Sequence, residues 1–150
     1  MPRTKLALPS HFSFTTNIPV RITDLNYGGH VGNDSFLSLI HEIRVQFLRS
    51  HGYDEMDLHG IGLIMADVTI EFISELFYGD ALRASVAASD FYRVGFDLYY
   101  KLEKMVPASD PDAPPKWVPV SNARTGMVCY DYSAKKMARV PAEVMNKLLS

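Results

Sequence analysis

The 150-residue chain contains a single cysteine, Cys129. No disulfide can close within it, which argues against a stapled secreted scaffold and fits a reducing compartment. It also lacks an apolar run long enough to cross a bilayer, and its opening MPRTKLALPSHF has no apolar core of the kind a secretory leader carries. Excess charge of either sign is missing too: 15 basic against 17 acidic residues leave a formal charge of −2. The basic residues are dispersed as Arg3/Lys5, Arg44/Arg49, Lys101/Lys104 and Lys135/Lys136/Arg139, so no stripe suits a nucleic acid. Arg93 and the basic residues near the termini read as solvated surface charge. His11, His30, His41, His51 and His59 fall at separations that match no familiar ligand spacing, and no metal is expected. A cytoplasmic protein without membrane insertion is the expectation.

What is present is ordinary globular material, with 47% hydrophobic and 21% charged residues. No internal repeat or second composition regime appears, so one domain over 1–150 is expected. Alternation of Phe12, Phe14, Ile18, Val20 and Ile22 with polar residues predicts a strand over 12–22. Phe36, Leu39, Ile40, Ile43 and Phe47 recur at helical spacing, with Leu37 and Leu48 widening the stripe, and predict a helix over 34–51. Asn33 or Asp34 is the natural N-cap of that helix, and Gly52 its stop. Further strands are predicted over 63–73, 81–90, 94–105 and about 117–132. In the first of these, Ile64, Ala66, Val68, Ile70 and Phe72 form the apolar face. Residues 106–116 hold four of the nine prolines and form a loop, and Pro141 opens a short terminal helix. One long helix and about five strands must cover each other, which predicts an α+β domain with an antiparallel sheet wrapped around the helix.

The stretch DLNYGGHVGNDSF, residues 24–36, stands directly before that helix. Its glycines let a ligand approach the backbone, and the helix start supplies unpaired amides and a dipole that favour an anion or a developing oxyanion. The imidazole of His30 can take a proton from water. Asn26 can orient a water or polarise a carbonyl, but cannot act as a base. Asp24 can ionise, or can simply bond turn amides. On local chemistry alone, a polar turn that starts a helix accounts for the same residues, and both readings stand.

Taken together, RITDLNYGGHVGNDSFLSLIHEIRVQFLRSHG, DVTIEF, YGDAL and ARVPAEVMNKL resemble the hotdog-fold acyl-CoA thioesterases of the 4-hydroxybenzoyl-CoA thioesterase type. The likeness spans nearly the whole chain and places Arg21, Asp24, Gly29, His30, Val31, Asn33, Phe36, Glu42 and Arg44 close to that family's frame. It implies a hotdog fold, a homodimer, often paired into a homotetramer, and a thioester hydrolase acting on an acyl-CoA or acyl-carrier thioester. No cofactor is implied beyond coenzyme A as part of the substrate. In that branch the second acid of an Asp-x-Asp pair is catalytic, and here the position holds Asn26. The plant acyl-carrier-protein thioesterases, also hotdog proteins, have a histidine where His30 stands and a glutamate just after the second strand, which falls on Glu75. Their catalytic asparagine falls on Gly28. Asp67, on the polar face of the second strand, is the other candidate carboxylate.

The resulting expectation names Asn26, His30, Asn33, Asp67 and Glu75 as catalytic candidates. Gly29, Gly32 and Phe36 are expected to bind substrate. A hotdog hydratase or dehydratase, using His30 with Asp67, is the enzymatic alternative. A non-catalytic acyl-thioester binding protein is the other, and Asn26 is its best support.

Overall fold

The long helix α1 (Asn33–Ser50) buries Phe36, Leu39, Ile40, Ile43, Arg44, Phe47 and Leu48. A stripe that wide needs cover along its length, and the sheet supplies it. The structure, a computed structural model, describes residues 5–150, so Arg3 lies outside the described residues. Strands β1 (Phe14–Pro19), β2 (Gly62–Phe72), β3 (Ala81–Tyr92), β4 (Gly95–Val106) and β5 (Lys116–Asp131) form an antiparallel sheet in the order β1-β3-β4-β5-β2. A two-residue strand β6 (Lys136–Met137) adds to β5, and a short helix α2 (Ala142–Leu149) follows.

Several boundaries differ from the sequence pattern for local reasons. β1 ends at Pro19, and the chain then enters a 3-10 turn at Ile22–Asp24, which leaves Ile22 exposed. The helix stops as expected: Gly52 takes φ +84, Gly52 N–H donates to Arg49 O, and Tyr53 N–H donates to Leu48 O. That is a Schellman closure, which needs a residue free to adopt left-handed φ. Leu37 is exposed, on the flank of α1 that shares a cavity with Met65 of β2.

The largest correction concerns β2. Its register with β5 slips between Met65 and Asp67, the mark of a β-bulge at Ala66. Residues opposite one another share a face. Leu63 and Met65 lie across from Cys129 and Met127, and Val68, Ile70 and Phe72 across from Thr125, Ala123 and Ser121. All five therefore turn toward the helix side, whereas Ile64 turns outward with Asp67, Thr69 and Glu71. The unbroken even-numbered apolar face read from the sequence does not exist.

A polar island sits in the core around Arg44. Arg44 Nε donates to Glu55 and Arg44 Nη1 reaches Tyr100 Oη at 3.5 Å, while Tyr100 Oη and Thr125 Oγ1 lie 2.8 Å apart. Burial works against the Arg44 charge, but Tyr100 and Glu55 outweigh it and hold its pKa above the ordinary value. Burial likewise lifts the Tyr100 phenol. Phe47, fully enclosed between helix and sheet, carries the largest apolar load on α1. Phe47→Ala is expected to lower unfolding free energy by about 3–5 kcal/mol in urea titrations. A loss below about 1 kcal/mol would show that the helix is not wrapped as described.

Candidate functional site

Short backbone bonds build the loop before α1. Asn26 N–H donates to His30 O at 2.8 Å, and Gly29 N–H donates to Asn26 O at 3.1 Å. Gly28 N–H donates to Asn26 Oδ1 at 2.8 Å, an Asx turn that leaves the Asn26 NH2 group unspent. Asp24 is buried, its Oδ2 accepting Arg21 N–H at 2.8 Å and its Oδ1 accepting from Arg21 Nη2 at 3.2 Å. It therefore organises the turn. Val31 N–H donates to Leu76 O at 2.8 Å and His30 bridges to Phe77, so the loop is stitched to the segment that follows β2.

The helix start departs from expectation in a way that bears on chemistry. Neither Asn33 nor Asp34 caps α1; the N-cap is Gly32, which has no side chain to offer. Among the described residues, the N–H groups of Asn33 and Asp34 meet no acceptor. Asp34 Oδ1 folds back to 2.6 Å from the point where a Cβ on residue 32 would stand, so any side chain there would displace that carboxylate. Gly32 N–H is turned to Asp24 O at 3.4 Å, and Gly29 N–H is used in the turn. The two glycines expected to contact substrate thus spend their amides inside the loop.

Beside these free amides lies a cleft of about 260 Å³, whose lining includes His30, Asn33, Phe36, Phe72, Ser74 and Glu75. Phe36 and Phe72 meet edge to face at 5.2 Å and form its apolar wall. His30 Nδ1 lies 3.2 Å from Val31 O. With Nδ1–H donating there, Nε2 is the basic nitrogen. A Cβ built on Gly28 would stand 3.2 Å from Asn26 Oδ1 and 3.6 Å from His30 Nε2, so the amide and the imidazole flank the same glycine.

The structure therefore brings His30, Asn33, Phe36 and Glu75 to one cleft, with Asn26 adjoining. It does not bring Asp67 there. That carboxylate accepts from Arg124 Nη2 at 2.9 Å and from Gly126 N–H at 3.1 Å, on the outward side of the sheet. Arg124 also binds Asp97 at 3.0 Å, whose carboxyl burial lifts above its usual range against the pull of that arginine. Asp67 belongs to this cross-strand ion network. The sequence reading missed Ser74 and the partnership of Phe72 with Phe36, because the bulge that aims Phe72 leaves no mark on periodicity. No three His, Cys, Asp or Glu side chains gather as metal ligands among the described residues, and no described helix is long and apolar enough to cross a membrane.

A family model described as the thioesterase-like superfamily matches residues 20–148. No curated protein matches the sequence. Among solved structures, the 4-hydroxybenzoyl-CoA thioesterase from Pseudomonas sp. strain CBS-3 is similar at 16% identity and TM-score 0.75, over 91% of this chain and 99% of that one. A 1,4-dihydroxy-2-naphthoyl-CoA thioesterase from Synechocystis is similar at 20% identity and TM-score 0.74, over 90% and 94%. A 4-hydroxybenzoyl-CoA thioesterase with asparagine in place of one aspartate, complexed with 4-hydroxybenzoyl-CoA, is similar at 16% identity and TM-score 0.77, over 90% and 97%. These likenesses establish the hotdog fold implied by the sequence resemblance.

The buried bonds of Asp24 give the loop a measurable anchor. Asp24→Ala is expected to cost about 1–2 kcal/mol of stability, because it orphans the Arg21 amide. Chemical denaturation checks this, and a change below a few tenths of a kcal/mol would contradict the anchoring role.

Proposed function

Because the chain belongs to the thioesterase-like superfamily, we propose that it hydrolyses an acyl-CoA or related acyl thioester to the free acid and the thiol. The observation that carries the reading is the uncapped start of α1, where the Asn33 and Asp34 amides meet no acceptor and Asn33 lines the same cleft as His30 and Phe36. The acyl group would lie against Phe36 and Phe72, with the thioester oxygen on the helix-start amides. Each such donor is worth on the order of 3 kcal/mol of barrier when charge develops on that oxygen. His30 Nε2 would take a proton from water as the water oxygen bonds to the carbonyl carbon. Collapse of the adduct would break the C–S bond, and the departing sulfur would receive that proton. Asn26 would hold the water through its NH2 group, and Glu75 would favour the imidazolium.

The structural neighbours support a CoA thioester as substrate, since two are acyl-CoA thioesterases and a third holds its acyl-CoA. In that third protein an asparagine for aspartate exchange is compatible with a bound thioester. This favours the second reading, an acyl-thioester binder that does not turn over, because Asn26 stands where the family resemblance calls for an acid. A hydratase or dehydratase pairing His30 with Asp67 is weakened by the commitment of Asp67 to Arg124.

A homodimer completes the reading. β2 pairs with β5 on one side only, and its helix-facing Met65, Val68 and Phe72 are exposed, as is Leu37 of α1. An open apolar edge of this kind is covered in natural proteins, and a second copy of the same edge would cover it. We infer a cytoplasmic location, which the single cysteine supports.

Release of free thiol from short, long and aromatic acyl-CoAs is the direct test. The wild type is expected to turn over at least one class, with His30→Ala lowering kcat/KM by about 10²–10⁴. Asn26→Asp is expected to raise turnover. Tight acyl-CoA binding without hydrolysis of any panel member would transfer the conclusion to the binder. Sedimentation of the wild type should give a mass twice the 16.9 kDa of the chain, and Val68→Glu should shift it toward monomer. A monomeric wild type would refute the paired edge.

A further inference from the structure

Lys104 closes the row Leu98, Tyr100, Leu102 on the helix-facing side of β4, a row otherwise filled by fully buried residues. A lysine in such a row carries a desolvation cost unless its ammonium is partnered. Its side chain is 15% exposed, and its Nζ has three partners, all within the six residues 75–80. It donates to Glu75 O at 2.6 Å, stands 3.8 Å from Asp80 Oδ2, and lies 5.4 Å from the centre of the Phe77 ring. Asp80 Oδ2 in turn accepts Phe77 N–H at 2.8 Å, and Asp80 N–H donates to Phe77 O at 3.1 Å.

We propose that Lys104 is a positioning residue for the cleft: it clamps the segment between β2 and β3 so that Glu75 faces the site and the His30–Val31 backbone has a fixed partner. The physical chain is short. Nζ fixes the Glu75 carbonyl and the Asp80 carboxylate, Asp80 fixes the Phe77 amide, and Leu76 and Phe77 pair with Val31 and His30. One ammonium thus holds the two elements that bring the imidazole and the Glu75 carboxylate together. The clamp is electrostatic and directional, so an apolar residue of similar length fills the space without supplying it, whereas arginine supplies donors and charge. The proposal rests on the hydrolytic reading above, because its consequence is read in turnover.

Lys104→Met, Lys104→Arg, Glu75→Gln and the Lys104→Met/Glu75→Gln double variant form the test, with thermal melting confirming that each is folded. Lys104→Met is expected to lower kcat by about tenfold to a hundredfold with KM little changed, and Lys104→Arg to recover much of the loss. In the Glu75→Gln background the methionine should cost clearly less than in the wild type, because the clamp then has no carboxylate to aim and only its hold on the His30–Val31 backbone remains. Amide hydrogen exchange supplies a readout independent of turnover: Val31 and Phe77 should exchange faster in Lys104→Met, while Leu98 and Ala123 in the central strands should not. Unchanged exchange at Val31 and Phe77 would overturn the clamp even in an active enzyme. A kcat loss that adds in full to that of Glu75→Gln would reduce Lys104 to general support and overturn the positioning role. A wild type with no turnover, but with the expected exchange pattern, would remove hydrolysis and the catalytic half of this proposal while leaving the anchoring intact.

Discussion

The cleft depends on one small piece of sheet that lies outside the main ladder: the bridge by which His30 and Val31 pair with Phe77 and Leu76. A helix N-terminus by itself offers amides in a fixed direction but has no power to place other groups around them. The bridge ties the chain entering α1 to the chain leaving β2, so that imidazole, amides and Glu75 belong to a common frame. Leu76 is fully buried between the two, which makes the bridge part of the core as well as of the loop. Position at this site is therefore held by the same apolar burial that holds the fold.

The bulge at Ala66 does comparable work on the other flank. Without it, Val68, Ile70 and Phe72 would continue the phase of Ile64, and either Leu63 or Phe72 would point away from the helix. With it, Leu63 packs in the core at one end of the strand, and Phe72 meets Phe36 at the other. Between them, Met65 and Val68 remain exposed on an edge with no ladder partner. An irregularity of one residue thus produces both the apolar wall of the cleft and the uncovered edge that a second copy would occupy.

The helix, the strands and their wrapping were legible because each rests on periodicity: Phe36 to Phe47 at helical spacing, and Leu98, Tyr100 and Leu102 at strand spacing. The Gly52 stop was legible because glycine at that place has one strong physical use. Three features were not. The bulge inverts the reading of β2 without altering its composition. Gly32 caps α1 although Asn33 and Asp34 are better cap formers, since the backbone has already become helical at Asn33. Of the two carboxylates offered by the polar positions of and after β2, nothing in the sequence separates Glu75 from Asp67. The difference lies in Arg124, which is far along the chain and claims Asp67 across the strand pair.

What remains particular to this chain is the charge around its open amides. Asn26 keeps the Asx turn that an aspartate would make, because Oδ1 accepts the Gly28 amide in either case. The geometry of the loop is therefore preserved while a negative charge is absent from it. Asp34 restores a charge nearby, with its Oδ1 drawn back over Gly32 at the positive end of α1. There it stabilises the helix, but it also opposes any second negative charge that develops on the same amides. On the hydrolytic reading proposed above, an arrangement that tempers the field on an oxyanion and has an amide at Asn26 would rely on proton transfer as well as on the helix-start amides. His30, with Glu75 lining the same cleft, would then carry on that reading the burden that the family resemblance assigns to an aspartate.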